Sequence, residues 1–116
     1  MEQPYPADLL NIARTIAQEA GALALRTRRE GVQVAATKST DTDIVTYADQ
    51  AVQDFVRTRL SELRPNDGFF GEENGGSTGS SGLTWVVDPI DGTVNYLYDL
   101  PQWAVSIAVV EGAPDP

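Results

Sequence analysis

The sequence predicts an α+β fold, a layered sheet with two long helices packed on one face. Three observations lead there. Segments 8–30 and 46–63 repeat apolar residues every three or four positions, the period of an amphipathic helix. From residue 68 onward, short aromatic and β-branched runs alternate with turn residues, the pattern of strands. The length of 116 residues, with 41% hydrophobic and 22% charged, suits one modest domain with one core.

In the first helix, Leu9, Ile12, Ile16, Ala20 and Leu23 form one stripe, and Pro6 or Asp8 suits its start. Gly21 costs this helix about 1 kcal/mol of propensity. Arg26, Arg28 and Arg29 are expected in its last turn, as a solvated basic end that complements the helix dipole, with Gly31 as the stop. Residues 32–37 then read as a strand and 38–43 as a polar loop. Lys38, the sole lysine, reads on its own as a solvated surface residue.

The second helix, 46–63, buries Ala48, Val52, Phe55, Val56, Leu60 and Leu63, and Pro65 ends it. Thr46 and Asp49 fit a capping-box-like pair, so Asp49 has a structural reading beside any chemical one. Gly68-Phe-Phe-Gly71 reads as a strand that delivers Glu72 and Glu73, which alone are no more than a solvated pair at a turn. Residues 73–82 form a mobile Gly/Ser loop whose spacing fits neither the P-loop nor the dinucleotide fingerprint. Trp85, Val86 and Val87 read as a buried strand that stops or bends sharply at Pro89, which has no N–H for a sheet ladder. Gly92 and Thr93 suit a tight turn into a short helix. Residues 103–110 are almost wholly apolar and are expected as a central strand covered on both faces. No internal repeat is present. Nothing after this last strand closes the sheet or covers its acidic end, so the chain is expected to be the first part of a larger fold.

Composition narrows the chemistry. A formal net charge of −9 and a pI near 4.2 argue against a nucleic-acid or anionic-membrane binder. There is no cysteine, hence no disulfide, thiolate site or cysteine nucleophile, and no histidine to serve as base or ligand. Any metal must then be held by oxygen, which favours Mg²⁺, Mn²⁺ or Ca²⁺. No signal peptide or membrane-length apolar run is visible, so a soluble, cytoplasmic protein is expected.

Acids come from several elements: Asp49 at a helix start, Glu72 and Glu73 after a strand, and Asp88 and Asp91 at a sheet end. Clustered carboxylates repel one another unless a cation sits between them. The turn at Gly92-Thr93 leads into a helix start, whose N–H groups attract an anion. A calcium loop is excluded, because Asp88-Pro-Ile-Asp-Gly places its second acid and its glycine at the wrong positions. With no histidine or cysteine, water is the best nucleophile. A metal lowers its pKa, a second carboxylate orients it, and two metals roughly 4 Å apart can hold a phosphate. Metal-assisted phosphate-ester hydrolysis follows as a reaction class; the substrate does not.

Three segments in order resemble the inositol monophosphatase family: Asp43-Ile-Val-Thr-Tyr-Ala-Asp49, Gly71-Glu-Glu73 and Asp88-Pro-Ile-Asp-Gly-Thr-Val-Asn95. The resemblance covers nearly the whole chain. It implies a layered α/β sandwich of the inositol monophosphatase and sugar phosphatase type, with a mostly antiparallel sheet, of which residues 1–116 are the N-terminal part. It makes Glu72, Asp88 and the Ile90 carbonyl metal ligands and Asp91 a ligand of a second metal. Asp49 and Thr93 would activate the attacking water, with Glu72 among the catalytic acids. Gly92 and Thr93 N–H groups would bind phosphate, and Lys38 and Glu73 would support the site. The family uses Mg²⁺, two or three ions in the complete enzyme, is commonly inhibited by Li⁺ and often forms homodimers. Its substrates are small phosphorylated molecules such as inositol phosphate, not nucleic acid or membrane. Ile90 and the Thr93-Val-Asn95 ending favour the inositol branch over phosphatases of fructose 1,6-bisphosphate, nucleotide 3′,5′-bisphosphates or histidinol phosphate. The family's C-terminal half, with a further metal-binding aspartate, is absent, so little or no activity is expected of these residues alone. The rival expectation is a non-catalytic metal-binding or dimerising fragment.

Overall fold

A computed structural model describes residues 5–35, 41–71, 76–97, 100 and 103–112, with 31–35, 41–46, 94 and 97 described in backbone only. The order is α1 (Pro6–Ala35), α2 (Asp41–Leu63), β1 (Gly68–Gly71), β2 (Gly76–Ser77), β3 (Leu83–Asp91), α3 (Thr93–Leu97) and β4 (Ala104–Glu111). The sheet order is β2-β1-β3-β4. β1 runs parallel to β3, while the β1–β2 and β3–β4 pairs are antiparallel. The two long helices pack on one another, α1 also against β4 and α2 against β3. This is the expected two-layer arrangement, and the sheet, expected to be mostly antiparallel, is mixed, with one parallel and two antiparallel pairs.

Apolar periodicity explains the layers. Leu9, Ile16, Ala20 and Ala24 of α1 and Ala48, Val52, Val56 and Leu60 of α2 are buried together with Phe69, Leu83, Trp85 and Val87 of the sheet. Alternation along β3 sends Leu83, Trp85 and Val87 inward, and along β4 it sends Val105, Ile107 and Val109 toward the same core. Among the described residues no helix is long and apolar enough to cross a membrane.

Several local expectations are corrected. α1 does not stop at Gly31 but continues to Ala35, so no strand begins at residue 32. Extending an existing helix needs no new nucleus, and β-propensity counts for little without a neighbouring strand. The arginines therefore sit before the last turn, which holds no basic residue. α2 starts at Asp41, so Asp41–Asp43 is helix and not loop. Thr46 and Asp49 then lie inside the helix, and the capping-box explanation of Asp49 falls. The Gly/Ser segment is partly fastened. Gly76–Ser77 pairs with β1, and the backbone N–H groups of Ser80 and Ser81 donate to the Asn66 carbonyl at 2.8 and 3.0 Å. Among the described residues β4 is an edge strand with Ala104, Ser106, Ala108 and Val110 exposed, rather than the expected central strand covered on both faces. Small side chains and one serine let its outer face tolerate water. Leu63, expected in the core, is exposed at the end of α2.

Candidate active site

β3 does not stop at Pro89. It runs through to Asp91, and the proline is accommodated by a bulge. Asp88 lies opposite Ser106 and Asp91 opposite Ala104, so three steps on β3 match two on β4. The extra residue removes the ladder hydrogen bond that Pro89 could not make. It also changes the phase of the strand. Residues three apart in a regular strand point to opposite faces. Ser106 and Ala104 are two apart and share the outer face of β4, so the bulge turns Asp88 and Asp91 to that same face. Pro89 and Ile90 are buried between them. The bulge thus converts a sequence spacing that would separate two acids into one that pairs them.

The turn that follows is fixed tightly. Gly92 has φ of 91°, a backbone conformation that side chains resist. Thr93 Oγ1 donates to the Ile90 carbonyl at 3.2 Å, and the Tyr96 N–H donates to the Gly92 carbonyl at 3.0 Å. The Ile90 oxygen keeps a second lone pair, so accepting from Thr93 is compatible with a further role. α3 has only five residues, too few for a strong helix dipole.

Asp49 approaches from the helix layer. Oδ1 of Asp49 and Oδ1 of Asp88 are buried carboxylate oxygens that take no hydrogen bond, while each residue keeps another polar or electrostatic interaction. Tyr96 lies close by. Burial pushes its phenol up to about 12, with the Arg28 charge opposing the rise and the Asp49 carboxylate adding to it. The phenol is therefore a neutral donor, and it gives a 3.0 Å hydrogen bond to the Ala24 carbonyl. Its ring meets Trp103 edge to face at 5.0 Å between centroids.

β1 brings Gly71 beside Val87, the residue before Asp88. Gln53 is buried to 1% exposure and crowds this glycine: a Cβ on Gly71 would lie 2.6 Å from Gln53 Oε1. Gly71 is thus a point where α2 packs closely on β1. Lys38, Glu72 and Glu73 lie outside the described residues. Among the described residues no three acidic side chains converge as a metal cluster; Asp88 and Asp91 share one face of β3.

Residues not expected from sequence also shape the site. Arg28 is 9% exposed rather than solvated, and its Nε donates to the Tyr96 carbonyl at 2.7 Å. The signal was present: Arg28 continues the stripe of Ile16, Ala20 and Ala24 in steps of four. Gln53 follows Asp49 by one helical turn on the same rule.

A sheet with two long helices on one face, and a bulged strand end that pairs two aspartates before a glycine turn, defines the layered phosphatase-type α+β class. Solved structures agree. The chain is similar to Mycobacterium tuberculosis SuhB, with a TM-score of 0.76 and 38% identity over 95% of this chain and 38% of that one. It is 41% identical to an inositol-1-monophosphatase of Mycobacterium bovis over 92% of this chain and 42% of that protein. It is 44% identical to a histidinol-phosphatase of Mycobacterium tuberculosis over 92% of this chain and 41% of that protein. Residues 6–114 match the inositol monophosphatase family, and the chain belongs to it. It spans about two fifths of the length of these curated relatives.

Proposed function

We propose that the whole protein hydrolyses a small phosphate monoester with Mg²⁺, in the manner of an inositol monophosphatase. The observation that carries this is the bulge that turns Asp88 and Asp91 to one face inside the family's Asp-Pro-Ile-Asp-Gly-Thr segment. The donor set fits a hard cation, since every candidate ligand is an oxygen: the carboxylates of Glu72, Asp88 and Asp91 and the Ile90 carbonyl. When bound, Mg²⁺ supplies charge neutralisation at the phosphate and a lowered pKa for water. Within the chain, Asp49 and Thr93 orient the attacking water and Asp49 accepts its proton. Gly92 and Thr93 N–H groups hold the phosphate, Asp91 serves a second metal, and Lys38 and Glu73 support the acids.

A histidinol-phosphate substrate is the second reading, because the histidinol-phosphatase relative is as similar as the inositol phosphatases. One experiment separates them. The chain, completed with the remainder of the Mycobacterium tuberculosis SuhB sequence, is assayed for Mg²⁺-dependent phosphate release from inositol 1-phosphate and from histidinol phosphate. The inositol ester is expected to turn over faster. Faster release from histidinol phosphate would transfer the assignment, and release of neither would remove it. The 116 residues by themselves are expected to bind metal but to release phosphate slowly or not at all.

A further inference from the structure

We infer that Arg28 is a positioning residue: from α1 it holds α3 and, through α3, sets the Asp91-Gly92-Thr93 turn against the metal-binding acids. The inference rests on the metal-site reading above. A helix of five residues does not hold itself in place, because too few backbone bonds repay its nucleation. The direction of α3 must come from tertiary links. Arg28 Nε donates to the Tyr96 carbonyl at 2.7 Å, across 68 residues of sequence. Tyr96 Oη returns a bond to the Ala24 carbonyl, one turn earlier on α1, at 3.0 Å. The two bonds form a clasp between α1 and α3, and Trp103 closes it from the side.

The clasp reaches the turn through bonds already described. The Tyr96 N–H bonds the Gly92 carbonyl, and Thr93 Oγ1 bonds the Ile90 carbonyl. Any rotation of α3 therefore moves Gly92 and Thr93 and loads the Ile90 carbonyl, one of the oxygens assigned to metal. A guanidinium suits the task because it stays charged and its planar donors are fixed in direction. Burying it at 9% exposure is costly unless its donors are used, which locks the clasp once it has formed. The Arg28 charge and the Asp49 carboxylate both act on the Tyr96 phenol, with opposite sign.

The test measures metal affinity in the 116-residue chain, using Tb³⁺ luminescence sensitised by Trp85 and Trp103, with Mg²⁺ as competitor. The wild-type chain is expected to bind Tb³⁺, and Asp88→Asn to bind it far more weakly. Failure of the wild type to bind overturns the metal-site reading, and this inference with it. Given wild-type binding, Arg28→Met is expected to raise the Kd about tenfold while far-UV circular dichroism stays native. Arg28→Lys, which keeps the charge but not the fixed donor, is expected to raise it about threefold. A merely structural arginine would lower the melting temperature and leave the Kd of the folded protein unchanged. A Kd within twofold of wild type in folded Arg28→Met overturns the inference, and if that variant does not fold, the same result in Arg28→Lys does so.

Discussion

The two ends of β3 treat buried carboxylates in opposite ways. At its start, Asp67 has 1% side-chain exposure and both oxygens fully engaged. Arg64 Nε and Nη2 donate to Oδ2 and Oδ1 at 2.7 and 3.0 Å, Ser81 Oγ donates to Oδ1 at 2.6 Å, and Trp85 Nε1 donates to Oδ2 at 2.8 Å. Burial alone would raise the carboxyl's pKa. The bonds from Arg64, Ser81 and Trp85, with the Arg64 charge, outweigh it and hold the group below its ordinary 3.8. At the other end, Asp88 and Asp91 share a face, and Oδ1 of Asp88 is buried without a hydrogen bond. The first aspartate is built into the fold and ties the α2–β1 turn, the Gly/Ser segment and β3 together. The second is placed by the bulge that accommodates Pro89. A saturated carboxylate serves stability, and the bulged pair is the one to which the proposed function assigns chemistry.

That contrast can be broken most forcefully at Asp88. Asp88→Asn is expected to weaken metal binding by two orders of magnitude, about 2.7 kcal/mol. Its cost in stability should stay within about 1 kcal/mol, because a repulsive charge beside Asp91 is removed as a polar group is kept. Tb³⁺ titration and urea unfolding read the two quantities separately. Asp67→Asn should do the reverse. It strips the partner from a half-buried guanidinium and costs about 2 kcal/mol of stability, with Tb³⁺ affinity unchanged. A stable Asp67→Asn with impaired metal binding would erase the distinction between the two ends.

Acid sharpens the same comparison. The folded-state pKa of Asp67 is lowered, so its ionised form stabilises the fold at every pH above its unfolded value near 3.8. The contribution fades as pH falls below that value and is gone once the pH passes the lowered folded value. Unfolding free energy measured in urea from pH 7 to pH 2.5 should therefore fall more steeply in wild type than in Asp67→Asn. Parallel curves would show that the Asp67 network contributes nothing to acid stability.

Much of this was legible in the sequence, for physical reasons. The stripes of Leu9, Ile16 and Ala20 and of Val52, Val56 and Leu60 obey a period that only one face of a helix can satisfy, so both helices and their shared core could be read. The oxygen-only donor set followed from the lack of histidine and cysteine. Pro89 gave a half-correct signal. It marks a ladder bond that cannot form, but whether the chain answers by ending the strand or by bulging depends on β4, far along the sequence. Thr46 and Asp49 carried a capping pattern that became irrelevant once α2 began at Asp41. Arg28 was misread because a basic cluster near a helix end has an easy solvated explanation. The carbonyl that makes it a buried residue lies 68 positions away. The edge position of β4 was hidden for the same reason: hydropathy records which residues avoid water, not how many neighbours a strand has.

Two glycines test the acid-bearing end on a smaller scale. Gly71→Ala drives a methyl group to within 2.6 Å of Gln53 Oε1 and 3.0 Å of the Phe69 ring, so the buried Gln53 amide must shift. Overpacking of that kind costs about 1–3 kcal/mol, and the variant Gly71→Ala/Gln53→Ala should recover part of it, as a double-mutant cycle in urea would show. At Gly92 the obstacle is the backbone itself. With φ at 91°, a side chain there strains the chain by about 1–2 kcal/mol. The turn can relieve that strain only by rotating the peptide that links Asp91 to Thr93. Gly92→Ala should therefore lower stability modestly and weaken Tb³⁺ binding as well, because the strain falls on the same turn that Arg28 holds through α3. Gly82, also at positive φ (89°), provides the control at the Asp67 end of β3. Gly82→Ala should carry a similar stability loss with Tb³⁺ affinity unchanged, and equal effects of the two substitutions on Tb³⁺ would show that the ends of β3 do not differ in function.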